Sequence, residues 1–248
     1  MKTLLATRSK NQNQYILNYF QNTNINCIDF PLINIQGVEL ENSQKLILDN
    51  LNQFTKIIFI SSNAVEYFHQ LLVRTNISIT NIQSRFFCVG PTTQQQFLNF
   101  FNFQIHMPEN QFDTSGLLNM KALRILNVSE KILIVRGIGG KELLKSKLEE
   151  RGAIVSYLEC YKRVLLDIDL DLLSEYAKKS EKLFMLITSN EIARHFLASV
   201  KQNNITFNNL SLIANHIEIF KTLENQYPNV HLIADINPKN IYYVIKNN

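Results

Sequence analysis

The chain nearly repeats itself at half its length. Leu4-Leu5-Ala6-Thr7-Arg8 is echoed by Ile132-Leu133-Ile134-Val135-Arg136, and Lys56-Ile57-Ile58-Phe59-Ile60-Ser61-Ser62-Asn63 is echoed by Leu183-Phe184-Met185-Leu186-Ile187-Thr188-Ser189-Asn190. The two echoes come in the same order and at almost the same offset. Chance resemblance does not hold register over such a distance, so the pattern predicts a duplicated α/β unit. Each echoed element ends on polar residues where a strand would pass into a helix, which is the edge at which open α/β sheets take their ligands.

Short apolar runs alternate with amphipathic stretches throughout, as in parallel sheets with crossover helices. Strands are expected near Thr3 to Ala6, Cys27 to Phe30, Lys56 to Ile60, Arg85 to Val89, Gln104 to Met107, Lys131 to Val135, Ile154 to Leu158, Leu183 to Ile187, Ser211 to Ala214 and His231 to Ala234. Two extended segments, Phe30 to Gln36 and Leu158 to Val164, break the alternation at equivalent places in the repeat. They read as connectors, and two crossings imply that one domain is discontinuous in sequence. At 248 residues the chain also exceeds what one core usually serves.

Composition narrows the class of ligand. A chain 46% hydrophobic and 19% charged has enough apolar material for packed cores and too little charge to be disordered. The net charge of +4 is scattered rather than gathered into a basic stripe, which favours an anionic small ligand over nucleic acid. Cys27, Cys88 and Cys160 are odd in number and sit in apolar contexts, so they read as reduced thiols in a cytoplasmic protein. Arg8 interrupts the first apolar run well before it reaches the length of a signal peptide, and no run is long enough for a membrane span.

The candidate functional residues lie at the predicted strand ends. They are Arg8, Ser61, Ser62, Asn63, Thr92 and Thr93 in the first half, and Arg136, Gly137, Thr188, Ser189 and Asn190 in the second, where Asn215-His216 ends the next strand. On parallel sheets all would stand on carboxyl edges beside helix N-termini, whose free N–H groups and positive dipole ends attract carboxylates. The plain alternative is that the hydroxyl and amide residues only cap helices. Arg136-Gly137-Ile138-Gly139-Gly140-Lys141 lacks the full spacing of a dinucleotide or P-loop fingerprint and reads as a tight strand-to-helix turn. The five histidines show no metal-ligand spacing, and Asp167, Asp169 and Asp171 read as a solvated helix start. Tyr161 falls in the second connector. Its phenol, protonated at neutral pH, could donate a proton, or its ring could simply pack there.

Taken together, Ala6-Thr7-Arg8, Phe59 to Val65, Val89-Gly90-Pro91-Thr92-Thr93, and Leu133 to Gly137 running on through Arg151-Gly152-Ala153 to Glu159-Cys160-Tyr161-Lys162-Arg163 resemble the uroporphyrinogen-III synthase family over essentially the whole chain. The resemblance implies two flavodoxin-like parallel-sheet domains joined by a two-stranded antiparallel connector. Residues 1–32 and 164–248 would form one domain, 37–157 the other, and 33–36 and 158–163 the connector strands. It implies a monomeric lyase that closes hydroxymethylbilane, a polycarboxylate tetrapyrrole, in the cleft between the domains, with no metal or organic cofactor and no nucleic-acid or membrane partner. Tyr161 would assist departure of the hydroxyl, and Ser62, Thr93 and Ser189 would hold substrate carboxylates. One departure stands out: where the second repeat should carry a Gly-Pro-Thr-Thr-like turn, this chain has Ala214-Asn215-His216-Ile217. That change leaves open a noncatalytic ligand-binding or regulatory protein of the same fold.

Overall fold

In a computed structural model that describes all residues 1–248, the two sequence repeats exchange their halves. The first repeat runs through β1 (Lys2–Ala6), α1 (Lys10–Phe20), β2 (Asn26–Asp29), β3 (Ile33–Gly37), α2 (Asn42–Asp49), β4 (Lys56–Phe59), α3 (Ser62–Arg74), β5 (Arg85–Cys88), α4 (Pro91–Phe101), α5 (Thr114–Asn119) and α6 (Lys121–Arg124). The second runs through β6 (Lys131–Gly137), α7 (Leu143–Glu150), β7 (Ile154–Leu165), α8 (Leu170–Lys179), β8 (Lys182–Ile187), α9 (Asn190–Gln202), β9 (Leu210–Ala214), α10 (Ile217–Glu224), β10 (Val230–Leu232) and α11 (Pro238–Asn247).

One sheet has the order β10-β9-β8-β1-β2 and the other β3-β7-β6-β4-β5. Each therefore joins the opening β-α-β of one repeat to the later strands of the other. The chain divides accordingly into a first unit, Met1–Asn34 with Val164–Asn248, and a second, Ile35–Arg163. It passes from one to the other within β3 and again within β7.

The strands form where they do because both faces of each sheet are covered, so alternate residues of one apolar run feed two cores. In the second unit Ile57, Phe59, Leu133 and Val135 enter one cluster, while Ile58, Ile132 and Ile134 enter the other. In the first unit Leu183, Met185 and Ile187 face one cluster, and Phe184 and Leu186 the opposite one. The registered pairs β1 with β8 and β6 with β4 are both parallel, which aligns the ends of the echoed strands.

Two strand expectations change. Gln104 to Met107 does not form a strand; only His106 bridges, to Phe87, at the place β10 occupies in the other sheet. Phe103 and Met107 pack against the core individually instead. Leu158 to Val164 is not a separate segment, because β7 runs unbroken from Ile154 to Leu165 and absorbs an irregularity in its pairing with β6 at Arg136/Gly137. No helix is long and apolar enough to cross a membrane.

Candidate functional site

The carboxyl edge of the second unit is organised around a buried arginine. Arg136, next to last in β6, is only 2% exposed. Its Nε–H donates to the Gly137 carbonyl at 3.2 Å, Nη1–H to Glu142 Oε1 at 2.9 Å, and Nη2–H to the Gly139 carbonyl. Glu159 Oε1 stands 3.6 Å from Nε, and the guanidinium lies 4.3 Å above the Tyr157 ring. Gly139 and Gly140, with φ of +76° and +113°, turn the chain back on itself so that these carbonyls meet the arginine. The turn expected after β6 is thus built, and its arginine faces inward to hold it.

Tyr161, on β7, is 1% exposed. Its phenolic oxygen shares a 2.9 Å hydrogen bond with Ser61 Oγ, and its ring stacks on Tyr67 at 5.6 Å. Gly137 lies directly beneath the ring, where a Cβ would come within 2.5 Å of Tyr161 Cε2. A glycine is therefore required here by close approach. Ser61 also caps α3, accepting the Ala64 N–H at 3.1 Å, so one hydroxyl serves the helix and the tyrosine together.

Arg136, Gly137 and Tyr161 line an open cavity of about 500 Å³ together with Tyr157, Lys141 and Arg163. Phe112 and Asp113 close another side, and Asp113 is occupied as the cap of α5 through the Gly116 N–H at 2.9 Å. Glu142 bridges Arg136 and the Tyr157 hydroxyl, which donates to Glu142 Oε2 at 2.8 Å. That bond and the arginine hold the Glu142 carboxyl below its ordinary range. Burial, followed by the Glu142 carboxylate, pushes the Tyr157 phenol up to about 12. Ser61, Ser62, Asn63, Thr92 and Thr93 do not line this cavity. Ser62 and Asn63 form the half-buried first turn of α3. On α4, Thr92 is exposed, whereas Thr93 is buried beside Phe97.

In the first unit Arg8, Thr188, Ser189 and Asn190 follow the neighbouring strands β1 and β8. Asn13 clamps the β1 turn: its Nδ2 donates to the carbonyls of Ala6 and Arg8, both at 2.8 Å, and to Asp29 Oδ1 at 2.7 Å, while its Oδ1 accepts the Arg8 N–H at 3.0 Å. Thr7 donates its hydroxyl to the Leu186 carbonyl and so ties β1 to β8. The Arg8 guanidinium belongs to no ion pair, and burial lowers its pKa. Ser189 caps α9 through the Ile192 N–H at 3.2 Å, and Asn190 Oδ1 accepts the Thr222 hydroxyl at 3.0 Å. At the altered turn His216 caps α10, its Nδ1 accepting the Glu218 N–H at 3.3 Å. No group of three His, Cys, Asp or Glu side chains is arranged to hold a metal ion.

Sequence reasoning missed Asn13, Glu142, Tyr157 and Tyr67. A lone asparagine facing inward on an amphipathic helix was a usable signal for the first; the others depend on strand register.

Residues 14–237 match the family described as Uroporphyrinogen-III synthase HemD. The uroporphyrinogen-III synthase of Proteus mirabilis is 29% identical over 170 residues, which cover 66% of this chain and 82% of that protein. The Salmonella typhimurium protein of the same name is 33% identical over 138 residues, 54% of each chain. Among solved structures, a mutant uroporphyrinogen III synthase from Thermus thermophilus aligns with 100% of this chain and 98% of its own at a TM-score of 0.62 and 10% identity. The Helicobacter pylori uroporphyrinogen-III synthetase aligns over 100% and 99% at 0.61 and 15%. At these identities the structural likeness speaks to the fold.

Proposed function

The chain belongs to the uroporphyrinogen-III synthase family, and from that premise we propose that it is a lyase converting hydroxymethylbilane to uroporphyrinogen III and water. The observation that carries this reading is the family match over residues 14–237, which takes in the carboxyl ends of every strand except β1.

The reaction asks little of an acid and much of a scaffold. Departure of the terminal hydroxyl leaves an azafulvene cation, pushed out by the pyrrole nitrogen. The far ring attacks through its substituted carbon to give a spiro intermediate, which cleaves and recloses with that ring inverted. In our reading Tyr161 protonates the leaving hydroxyl so that it departs as water, while Ser61 donates to the phenolic oxygen as its proton leaves. This is supported by the 2.9 Å contact between them and by the position of Tyr161 on the cavity wall. A phenol is a weak acid at neutral pH, and a hydroxyl donor on its oxygen stabilises the charge that develops.

Carboxylate arms of the substrate would be held by the cations Lys141, Arg163 and Arg8 and by N–H groups at the starts of α3, α4 and α9, with Thr92, Thr93, Thr188, Ser189 and Asn190 nearby. Holding the tetrapyrrole folded selects the attacking carbon, which is catalysis by orientation and by exclusion of water from a reactive cation. A cytoplasmic monomer, with residues 1–32 and 164–248 as one domain and 37–157 as the other, belongs to the same proposal.

The test supplies freshly made hydroxymethylbilane and separates the oxidised products by isomer. Dominant type III product is expected. Type I product alone, at the rate seen without protein, would overturn the proposal.

A further inference from the structure

The pairing of Arg136 with Glu142 is lopsided. The arginine side chain is 2% exposed and the glutamate side chain that meets it is 66% exposed. Glu142 is held from one side only, by Arg136 Nη1 and the Tyr157 hydroxyl, and otherwise faces water. It follows a glycine turn and stands at the cap position of α7, where its side chain makes no capping bond to the helix. An exposed carboxylate in such a place adds little to stability. What it does is cover two donors that are already aimed at a carboxylate.

Those donors stay aimed without it. The Gly137 and Gly139 carbonyls and Glu159 hold the rest of the guanidinium, and the Tyr157 ring supports its face. If Glu142 swings into solvent, Arg136 Nη1 and the Tyr157 hydroxyl remain in place with no need to reorganise. A preorganised guanidinium beside a neutral phenol is a carboxylate receptor. Both residues line the 500 Å³ cavity, whose wall also carries Lys141 and Arg163.

We infer that Arg136 Nη1 and the Tyr157 hydroxyl form a binding subsite for one carboxylate arm of the substrate, and that Glu142 is an internal stand-in which this arm displaces. The geometry of the subsite stands by itself; only the identity of the arm as an acetate or propionate of hydroxymethylbilane rests on the synthase reading. Glu159, 3.6 Å from Nε, keeps the buried arginine partnered throughout such an exchange. The exchange also makes entry conditional on a carboxylate, because a neutral group cannot replace Glu142 on the arginine.

Competition of this kind taxes affinity, and removing the competitor lifts the tax. Glu142→Gln keeps the side-chain shape but removes the charge; Glu142→Asp keeps the charge but is too short to bridge both donors. Both variants are expected to lower KM for hydroxymethylbilane by about fivefold. Each should also tighten binding of uroporphyrin, an octacarboxylate probe followed by its fluorescence, by a similar factor. Tyr157→Phe is expected to weaken binding of the same probe. A structural role for Glu142 predicts the opposite sign, since loosening the turn would raise KM and weaken the probe; that result, or unchanged constants in both glutamate variants, would overturn the inference. The probe separates the two proposals. If wild-type protein formed no type III isomer yet Glu142→Gln bound uroporphyrin more tightly, the synthase reading would fail and the subsite would stand.

Discussion

The two carboxyl edges carry echoed sequences and present different side chains. At the helix after each of the echoed strands β4 and β8 they are the same: Ser61 caps α3 and Ser189 caps α9 through N–H contacts of 3.1 and 3.2 Å. At the next helix they part. α4 begins Gly90-Pro91-Thr92-Thr93, whereas α10 is capped by His216, and counting from the caps sets Ile219 where α4 has Thr93, both buried. The echoed arginines diverge further, since Arg136 has its guanidinium engaged by its own loop while Arg8 has no ion-pair partner. What both units retain satisfies the orphan N–H groups that every helix start must place somewhere. What differs is the polar content beyond the caps. The second unit carries the tyrosine and a built cavity; the first offers a free cation and backbone N–H groups.

The sharpest way to break this comparison is at the residue after each arginine. Gly137→Ala would bring a Cβ to 2.5 Å from Tyr161 Cε2 and 2.7 Å from Cζ, so the ring must leave its place and its bond to Ser61. Displacing a reacting group by such a distance is expected to cost at least about 100-fold in turnover. The echoed position in the first unit is Ser9, which caps α1 without a side-chain bond. Ser9 is buried but makes no side-chain capping bond, so Ser9→Ala is expected to cost less than about 1 kcal/mol. Type III formation and chemical denaturation of both variants measure the contrast.

Tyr161→Phe removes the proton and keeps the ring on Tyr67. Its turnover is expected to fall about 100-fold with the melting temperature little altered, as for loss of a general acid. Full turnover with full isomer fidelity in this variant would end the acid assignment. A smaller, paired effect separates the two caps. Ser61→Ala and Ser189→Ala should each lose about 1 kcal/mol of stability by denaturant titration. Only Ser61→Ala also removes the partner of Tyr161, so its kcat should fall several-fold further than that of Ser189→Ala.

The echoed strands were legible in the sequence because both sheet faces are buried, which leaves unbroken apolar runs ending in polar caps. Where that condition weakened, so did the reading. Gln104 to Met107 has strand-like residues but supplies a single bridge, and α5 and α6, at six and four residues, are too short to show a helical period. Tyr161 and Gly137 were readable as candidates, yet their contact was not, since it follows from an irregularity between β6 and β7. The same holds for Tyr157 and Glu142, which meet only after β7 pairs with β6 and the glycine turn doubles back. Sequence located the edge, and tertiary register decided which side chains face it.

The smallest expected effect tests whether the units differ at their sheets as well as at their sites, through the pH at which each loosens. In the first unit His231, on β10, has a buried Nε2 without a partner, and burial with Lys182 nearby holds its pKa below the ordinary 6.5. A depressed histidine means that the unfolded chain binds the proton more readily, so its contribution is complete above about pH 6.5 and is lost as the pH falls below it. In the second unit Glu130 pairs with Lys56 at the amino ends of β6 and β4. Burial alone would raise that carboxyl, but Lys56, the Thr55 hydroxyl and the Asn127 N–H outweigh it and hold the pKa below the ordinary 4.5. Its contribution is therefore intact at pH 6 and is lost only as the pH falls below about 4.5. Hydrogen exchange corrected for intrinsic rates should show β9 and β10 losing protection first, as the pH falls below 6.5, with β4 and β6 holding until it falls below 4.5. Simultaneous loosening of both sheets would show that neither group governs its own unit, and His231→Gln, which cannot charge, should abolish the earlier step alone.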